Sequence, residues 1–271
     1  MKQTFSFWLV LLIFNLAGVN LYAQNPKLNN AFNFSTGIVV DSKGNAFVTG
    51  RNSKIIKITD EGKAELFAGG GRNNKDGKGK EAGFNNTDGI AIDSLDNLYV
   101  TDNTKIRKIT PEGMVTTISG IGKAESKDGD RTTASFLQLE NIAIDNKANI
   151  YVTDYAPGKD WTPGKVANSS YYHIRKITPH GIVTTLQNGN NGPLTLQYPR
   201  GLACDKNGNL YICAVASHCI KKISPDGVIT TAAGQCDKTI YRSVYKEGNI
   251  TTAVLTTPSV FISLLLHIGL F

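Results

Sequence analysis

The sequence GIAIDSLDNLYVTDNTKIRKITPEGMVTTISG, residues 89–120, decides the fold because the chain contains it in four versions. These versions begin at Gly37, Gly89, Asn141 and Gly201, which lie 52, 52 and 60 residues apart. In each version an aspartate follows four residues after the start, an asparagine after eight and an aromatic residue after ten. Such a long and regular period indicates a protein built from stacked copies of one structural unit.

Each copy has the pattern of four short strands. In the second copy, residues 89–92 form an apolar run, residues 98–101 and 105–109 are closer to alternation, and residues 114–118 are rich in β-branched side chains. Four antiparallel strands with no helix between copies are typical of a propeller blade, and a blade needs neighbours to cover its faces. We therefore expect an all-β propeller over residues 30–258, with about four complete blades and an incomplete fifth in an open or incomplete ring.

The repeated motif reads Gly-Ile-Ala-x-Asp-x-x-x-Asn-x-Tyr-Val and then Ile-Arg-Lys-Ile-Thr-Pro-x-Gly-x-Val-Thr-Thr. It resembles the NHL-repeat family of β-propellers, in an exported bacterial form, and the resemblance covers roughly residues 30–258. The resemblance implies a propeller that is commonly six-bladed in that family and serves mostly as an interaction surface. It does not imply an activity, because a fold does not dictate a function.

The two ends of the chain depart from the repeat. Lys2, an apolar stretch and a small residue at Ala23 predict a Sec signal peptide over residues 1–23, followed by a linker over residues 24–29. The alternative is an uncleaved membrane anchor, although the apolar part is shorter than the ~20 residues that a span needs. We expect export to the periplasm, the cell surface or the medium, with no stable membrane span after cleavage.

Residues 259–271 form an apolar tail in which the repeat is lost. Val260 stands where the opening glycine belongs, and Leu264 replaces the aspartate. This pattern predicts a propeller cut short in its fifth blade. Because such a chain would expose a sheet edge and an uncovered blade face, we expect poor solubility or pairing with another chain.

The connections before the second and third copies also resemble each other. Phe84 and Phe136 each precede the start of a copy by five residues, as Phe32 does before the first, and we expect them to pack between neighbouring blades. Asp76-Gly77 in the first connection corresponds to Asp128-Gly129 in the second. This correspondence favours a repeated turn over a phosphate-binding loop.

The net charge is +7, from 29 basic and 22 acidic residues. In an exported protein this charge favours acidic polysaccharide, membrane surface or cell wall over nucleic acid as a partner. The alternative is that the recurring cations form solvated outer faces of repeated strands, and their recurrence with the repeat favours this interpretation. The residues concerned are Lys57, Arg107, Lys108, Arg175 and Lys176.

The third copy carries an insert between Asp154 and Ile174, which are twenty residues apart, whereas Asp102 and Ile106 of the second copy are four apart. Exposed aromatic rings on such a loop suit stacking on sugar rings or on a peptide. The alternative is an ordered flap whose rings pack inward. The candidate binding residues here are Tyr155, Lys159, Trp161, Tyr171 and Tyr172.

Two kinds of aspartate recur. The aspartate four residues into every copy predicts a structural hydrogen-bonding role at the end of the first strand. Asp102 and Asp154 end the second strand, but Gly50 and Ala214 replace them in the other copies. We therefore expect the fold to need this pair less, and Asp102 and Asp154 become candidates for a binding site on a propeller face.

Cysteine and histidine give little sign of a metal centre, because there is no C-x-x-C and no paired histidine spacing. Export permits a disulfide across the hairpin between Cys213 and Cys219. We expect no metal, no cofactor and no catalysis. The favoured function is an exported binding or scaffold module for a protein, a peptide or an acidic glycan. The alternatives are a propeller hydrolase or lyase, of the lactonase or streptogramin-lyase kind, and a truncated product without function.

Overall fold

The computed structural model describes residues 35–50, 53–71, 74–156, 171–189, 192–234 and 236. The predicted signal peptide, linker and apolar tail lie outside these ranges, as do Phe32, Lys159 and Trp161. The only helices among the described residues are two single-turn 3-10 helices, Gly79–Glu81 and Val215–Ser217. Within this part of the chain, no helix has the length and apolar character to span a membrane.

The described residues form four antiparallel sheets, which confirms the predicted all-β propeller. Each sheet is one blade, and the number of described blades is four rather than the six common in the resembling family. Blade one contains β1 (Ser35–Val40), β2 (Ala46–Gly50), β3 (Lys54–Ile58) and β4 (Ala64–Gly69). Blade two contains β5 (Gly77–Lys78), β6 (Thr87–Ile92), β7 (Leu98–Asp102), β8 (Lys105–Ile109) and β9 (Met114–Ser119).

Blades three and four repeat the same order of strands. Blade three contains β10 (Leu139–Ile144), β11 (Ile150–Tyr155), β12 (Tyr171–Ile177), β13 (Val183–Thr185) and β14 (Thr195–Gln197). Blade four contains β15 (Pro199–Cys204), β16 (Leu210–Ala214), β17 (Cys219–Ile223) and β18 (Ile229–Gly234). The first long strands of successive blades pack on one another, β1 on β6, β6 on β10 and β10 on β15. These inner strands therefore lie nearest the propeller axis, and the fourth strands lie at the rim.

Close packing of the inner strands explains the glycine that opens the repeat. A Cβ atom on Gly89 would lie 2.5 Å from the carbonyl oxygen of Glu140 and 3.0 Å from the nitrogen of Ile142. A Cβ atom on Gly37 would lie 2.8 Å from Cγ2 of Ile90. At these two positions only glycine lets the backbone of one blade approach the next this closely.

Threonine hydroxyls link the inner strands across the same contacts. Thr49 Oγ1 in blade one donates to the carbonyl of Asp88 in blade two at 2.6 Å, and Thr101 Oγ1 donates to the carbonyl of Glu140 at 2.8 Å. Between blades three and four, Asn141 Nδ2 donates to the carbonyl of Pro199 at 3.2 Å. Each blade is thus joined to the next by a polar contact near the axis.

The apolar core lies between the blades. Phe84 packs with Phe47 and Ile55 from blade one and with Leu98 and Val100 from blade two. The next interface is built in the same way around a phenylalanine that is fully buried between blades two and three, Phe136. The prediction that these two phenylalanines pack between blades is confirmed.

The recurring aspartate forms the predicted turn. In blade two, Asp93 Oδ1 accepts from the backbone nitrogens of Leu95 and Asn97, each at 2.9 Å. Its Oδ2 accepts from Asn97 Nδ2 at 2.9 Å and from the Tyr99 hydroxyl at 3.0 Å. The backbone and asparagine contacts recur in the other three blades, which confirms the structural role. The aspartates concerned are Asp41, Asp145 and Asp205.

The predicted disulfide is wrong. Cys219 is bonded to Cys236, while Cys213 is a buried free thiol. The reason is the register of the hairpin, in which Cys213 lies opposite Ile220 and Ala214 lies opposite Cys219. Because neighbouring residues of a strand point to opposite faces, Cys213 and Cys219 lie on different faces of the sheet.

We predict that Gly89→Ala destabilises the propeller by about 1–3 kcal/mol, because the added methyl group has no room between β6 and β10. Chemical denaturation followed by circular dichroism measures this change. Gly192→Ala is the matched control, since its nearest neighbour would lie at an ordinary 3.5 Å. Equal midpoints for the two variants would contradict the proposed reason for the repeated glycine.

Candidate functional site

One face of the propeller collects polar side chains that the repeat does not require. We call it the starting face, because each inner strand begins there. The second strand of every blade ends at this face and the third begins at it, so the blade-three insert leaves and re-enters here. The insert is closed at its base, where the backbone nitrogen of Ala156 donates to the carbonyl of Tyr171 at 2.8 Å.

The residue directly before the opening position of each copy is polar, and our sequence interpretation missed this. The available signal was that this position holds no apolar side chain in any copy. The four side chains at this position differ in solvent exposure, since Asp88 is buried and Arg200 is exposed. The four residues are Thr36, Asp88, Glu140 and Arg200.

Glu140 is the centre of the polar contacts on this face. Its Oε1 accepts from the Tyr172 hydroxyl at 2.8 Å, and its Oε2 lies 3.9 Å from an Arg200 guanidinium nitrogen. The Glu140 side chain is 12% exposed, whereas the Arg200 side chain is 51% exposed. Burial and the neighbouring Glu140 carboxylate raise the pKa of Tyr172. The phenol therefore stays protonated and donates.

The tyrosines at the ends of the insert have different environments. Tyr171 is 48% exposed, while Tyr172 is buried and makes an edge-to-face contact with Tyr155 at 5.2 Å between ring centroids. Both interpretations of the insert therefore apply to its ends, with one ring presented to solvent and one packed inward. Lys159 and Trp161 lie outside the described residues, so their binding role stays a prediction.

Asp102 and Asp154 do not face solvent. Asp102 Oδ2 accepts from Arg107 at 2.7 Å, and both side chains are 0% exposed. Asp102 Oδ1 also accepts from the backbone nitrogens of Asn85 and Asn86, at 2.7 and 3.0 Å. Asp154 has the equivalent partners in blade three, accepting from Arg175 at 2.5 Å and from the backbone nitrogens of Leu137 and Gln138 at 2.8 and 3.2 Å. These carboxylates hold the connection that leads into their own blade.

The expectation that the fold needs these aspartates less is therefore wrong for blades two and three. Blade one has Ile56 at the arginine position together with Gly50, and blade four has Lys221 together with Ala214. The acid and its arginine are thus present together or absent together. A fully buried ion pair must be replaced as a unit, because either partner alone would leave an uncompensated charge. Blade four keeps a cation without the acid, but Lys221 is only half-buried.

The expectation that Arg107 and Arg175 lie on solvated faces is also wrong. Both side chains are 0% exposed, and the guanidinium groups lie over Phe84 and Phe136, at 5.0 and 5.2 Å from the ring centroids. From the sequence, we grouped these arginines with the lysines of the same strands because both kinds of side chain carry a positive charge. The partner carboxylates lie on the preceding strand and on the connection into the blade, so the pattern of the third strand alone did not reveal them.

Burial raises the pKa of Asp154 to about 6, although the Arg175 charge, the Ser126 hydroxyl and two backbone N–H groups oppose the shift. In the connection before blade two, hydrogen bonds from Thr117 and the Arg107 charge lower the pKa of Asp76 despite partial burial. Asp154 thus lies in the interior, whereas Asp76 is 49% exposed and reaches Arg107 from the surface. Across the described ranges, no three His, Cys, Asp or Glu side chains are grouped so that they could hold a metal ion.

We predict that Arg107→Ile destabilises the protein by about 3–5 kcal/mol, because Asp102 is left buried without its cation. The double variant Asp102→Gly/Arg107→Ile, which copies the residues of blade one, is expected to be more stable than Arg107→Ile alone. Urea denaturation of the two variants provides the comparison. Replacement as a unit would be contradicted if Asp102→Gly lowered the free energy of unfolding of the Arg107→Ile variant by as much as it lowers that of the parent protein.

No family model matches the sequence. Among solved structures, the chain is similar to a structural genomics protein of unknown function from Bacteroides thetaiotaomicron, with a TM-score of 0.54 and 15% identity over 84% of this chain and 49% of that chain. It is also similar to a putative gluconolactonase, with a TM-score of 0.50 and 12% identity over 78% of this chain and 66% of that chain.

A streptogramin B lyase structure matches with a TM-score of 0.48 and 16% identity, over 73% of this chain and 53% of that chain. The chain thus spans about half the length of this lyase and of the Bacteroides protein. At these identities the likeness is one of fold. The similar structures are β-propeller proteins, in agreement with the four blades described above.

Proposed function

We propose that this protein is an exported binding module of the NHL-repeat type that takes an acidic glycan on its starting face. The observation that carries the proposal is the convergence of Glu140, Tyr172 and Arg200. Residues from blades three and four meet there, at the base of the longest insert in the chain. Export itself rests on the predicted signal peptide over residues 1–23.

Arg200 is the natural anion-binding group of this site. Its guanidinium is half-exposed and lies 3.9 Å from Glu140, so the Glu140 carboxylate orients it without using all of its donors. A planar guanidinium can bind a ligand carboxylate with two parallel hydrogen bonds. The net charge of +7 would add attraction for an acidic ligand.

Tyr171 is the first residue of β12 and supplies a half-exposed ring at the base of the same insert. A tyrosine ring that is half-exposed can stack on a sugar ring and present its hydroxyl to the sugar's own hydroxyls. Lys159 and Trp161 belong to the insert that starts and ends at this face. We expect them to add a second cation and a second ring to the same site.

A propeller hydrolase or lyase is the second candidate, and one specific observation favours it. Glu140 holds a carboxylate against the Tyr172 phenol, and Asp88 occupies the corresponding position in blade two. A carboxylate beside a phenol is a pair that can move a proton to or from a substrate. Hydrolysis of simple lactones by the purified chain, abolished by Glu140→Gln, would favour this candidate over the binding module.

We predict that Arg200→Gln weakens binding of a uronic-acid oligosaccharide by about 10–100-fold, the loss expected for one hydrogen bond to a charged group. Isothermal titration calorimetry with a neutral oligosaccharide of the same length separates the charge contribution from the stacking contribution. The neutral sugar should respond to Tyr171→Ala but only weakly to Arg200→Gln.

Arg131→Gln is the matched control, because Arg131 is an exposed arginine beside Gly181, in the turn of blade three that lies opposite the starting face. It removes the same charge and should leave affinity within about twofold, since distant surface charges are screened. Equal losses of affinity for Arg131→Gln and Arg200→Gln would show that binding depends only on the overall charge, and would contradict the proposed site. Binding of acidic peptides in preference to the oligosaccharide would assign the face to a peptide instead.

A further inference from the structure

The rims of blades two and three use one arrangement to hold an acidic segment, which we call the rim clasp. In blade two, Asp76 accepts from Arg107 at 3.0 Å and from the backbone nitrogen and Oγ1 of Thr117, at 3.0 and 2.8 Å. The glycine after this aspartate, Gly77, pairs with Val115 on the outer strand β9. The clasp thus binds one carboxylate and one short piece of extended backbone.

Blade three repeats the clasp with different residues. Asp128 accepts from Arg175 at 2.8 Å and from the nitrogen and Oγ1 of Thr185, at 3.0 and 2.9 Å. Gly129 exchanges two backbone hydrogen bonds with Val183, at 3.2 and 2.7 Å. In both blades the cation and the threonine lie directly opposite each other on the third and fourth strands. Because the same contacts occur in two blades, they define a recurring carboxylate-binding arrangement.

Blade four keeps the donors of the clasp but lacks the acid. Lys221 lies opposite Thr231, with the same register irregularity one residue earlier that blade two shows. The connection that leads into blade four, residues 186–198, contains no aspartate or glutamate, and part of it pairs with β12 as β14 instead. Among the described residues, no carboxylate lies within ion-pair distance of Lys221.

Blade one shows what happens when a rim has no acid to bind. There Ile56 lies opposite Leu66, so both the cation and the threonine are replaced by apolar residues. Blade four differs, because the cation and the threonine persist. Lys221 is half-buried and Thr231 is exposed, whereas the arginines of the filled clasps are fully buried. The donors of blade four are therefore accessible from outside.

The outer strand of blade four is also open along its edge. Within the described part of the chain β18 pairs only with β17, while the outer strand of blade two carries β5. The Thr231 hydroxyl donates to Cys236 Sγ at 3.3 Å. Sulfur is a weak acceptor, so an arriving carboxylate would replace this contact with a charge-assisted hydrogen bond.

We propose that the rim of blade four binds an extended acidic segment of a partner protein, in which an aspartate or glutamate is followed by glycine. The carboxylate lies between Lys221 Nζ and the hydroxyl and backbone nitrogen of Thr231. The glycine pairs with Ile229, which occupies the position of Val115 and Val183. The ligand thus adds a strand to β18, and main-chain hydrogen bonds supply part of the affinity. This site is separate from the starting face and does not depend on the proposed glycan.

The experiment uses the full chain and a fluorescein-labelled peptide with the sequence of residues 125–135, ESKDGDRTTAS, which contains the acidic segment of the blade-three clasp. Fluorescence anisotropy should show saturable binding. A peptide with asparagine in place of its first aspartate should bind at least about tenfold more weakly, as expected for loss of a charge-assisted hydrogen bond.

Variants of the protein locate the binding site. Lys221→Met and Thr231→Val should each weaken binding of the aspartate peptide by about tenfold or more, and Thr231→Ser should restore it by returning the hydroxyl. Lys222→Met is the matched control, because Lys222 lies on the opposite face of the sheet over the Tyr211 ring, at 6.0 Å. Its affinity should stay within about twofold of the parent.

Four results would overturn the proposal. Equal binding of the aspartate and asparagine peptides, or equal losses for Lys221→Met and Lys222→Met, would show that the clasp donors do not select a carboxylate. Stronger peptide binding by Glu247→Gln would show that the chain's own Lys246-Glu247-Gly248, which repeats the Lys-acid-Gly order, competes for the edge. Self-association without peptide that disappears in Lys221→Met would assign the edge to a second copy.

Discussion

The fold rests on the need of each blade to have both of its faces covered. A four-stranded sheet with apolar residues on both faces cannot exist alone in water, so its stability comes from the interfaces with its neighbours. The core accordingly lies between sheets rather than within one, as the positions of Phe84 and Phe136 show. Near the axis the inner strands of neighbouring blades lie so close together that positions such as Gly89 have no room for a side chain.

The polar groups buried by this close packing also have a structural role. The Asp102–Arg107 pair and the corresponding pair in blade three sit where the second strand ends, and they fix the connection that enters the blade. Their desolvation is offset by several hydrogen bonds for each ion, which a buried pair requires. The charged groups of this protein therefore include interior clusters, which hold the blades, as well as accessible groups such as Arg200 and Lys221.

The groups that we propose to bind ligands lie where the repeat is broken. Blade three departs from the pattern through its insert, and the exposed Tyr171 lies at the base of that insert. Blade four departs by keeping the clasp donors Lys221 and Thr231 without an acid from its own connection. Positions that every blade shares are required by the packing and hydrogen bonds common to all blades. Positions that one blade changes are free to serve a ligand, which is why both proposals concern departures from the repeat.

The sequence by itself determined the repeat, the strand order within a blade and the turn role of residues such as Asp93, because these depend on contacts within about fifty residues. It did not determine the partners of Arg107 or the face on which Cys213 lies. Those depend on register and on contacts between separate segments, since a one-residue step in a strand reverses the direction of a side chain. The meeting of Glu140 with Arg200 was likewise decided only by the tertiary structure, because the two residues come from different blades that the propeller brings side by side at its axis.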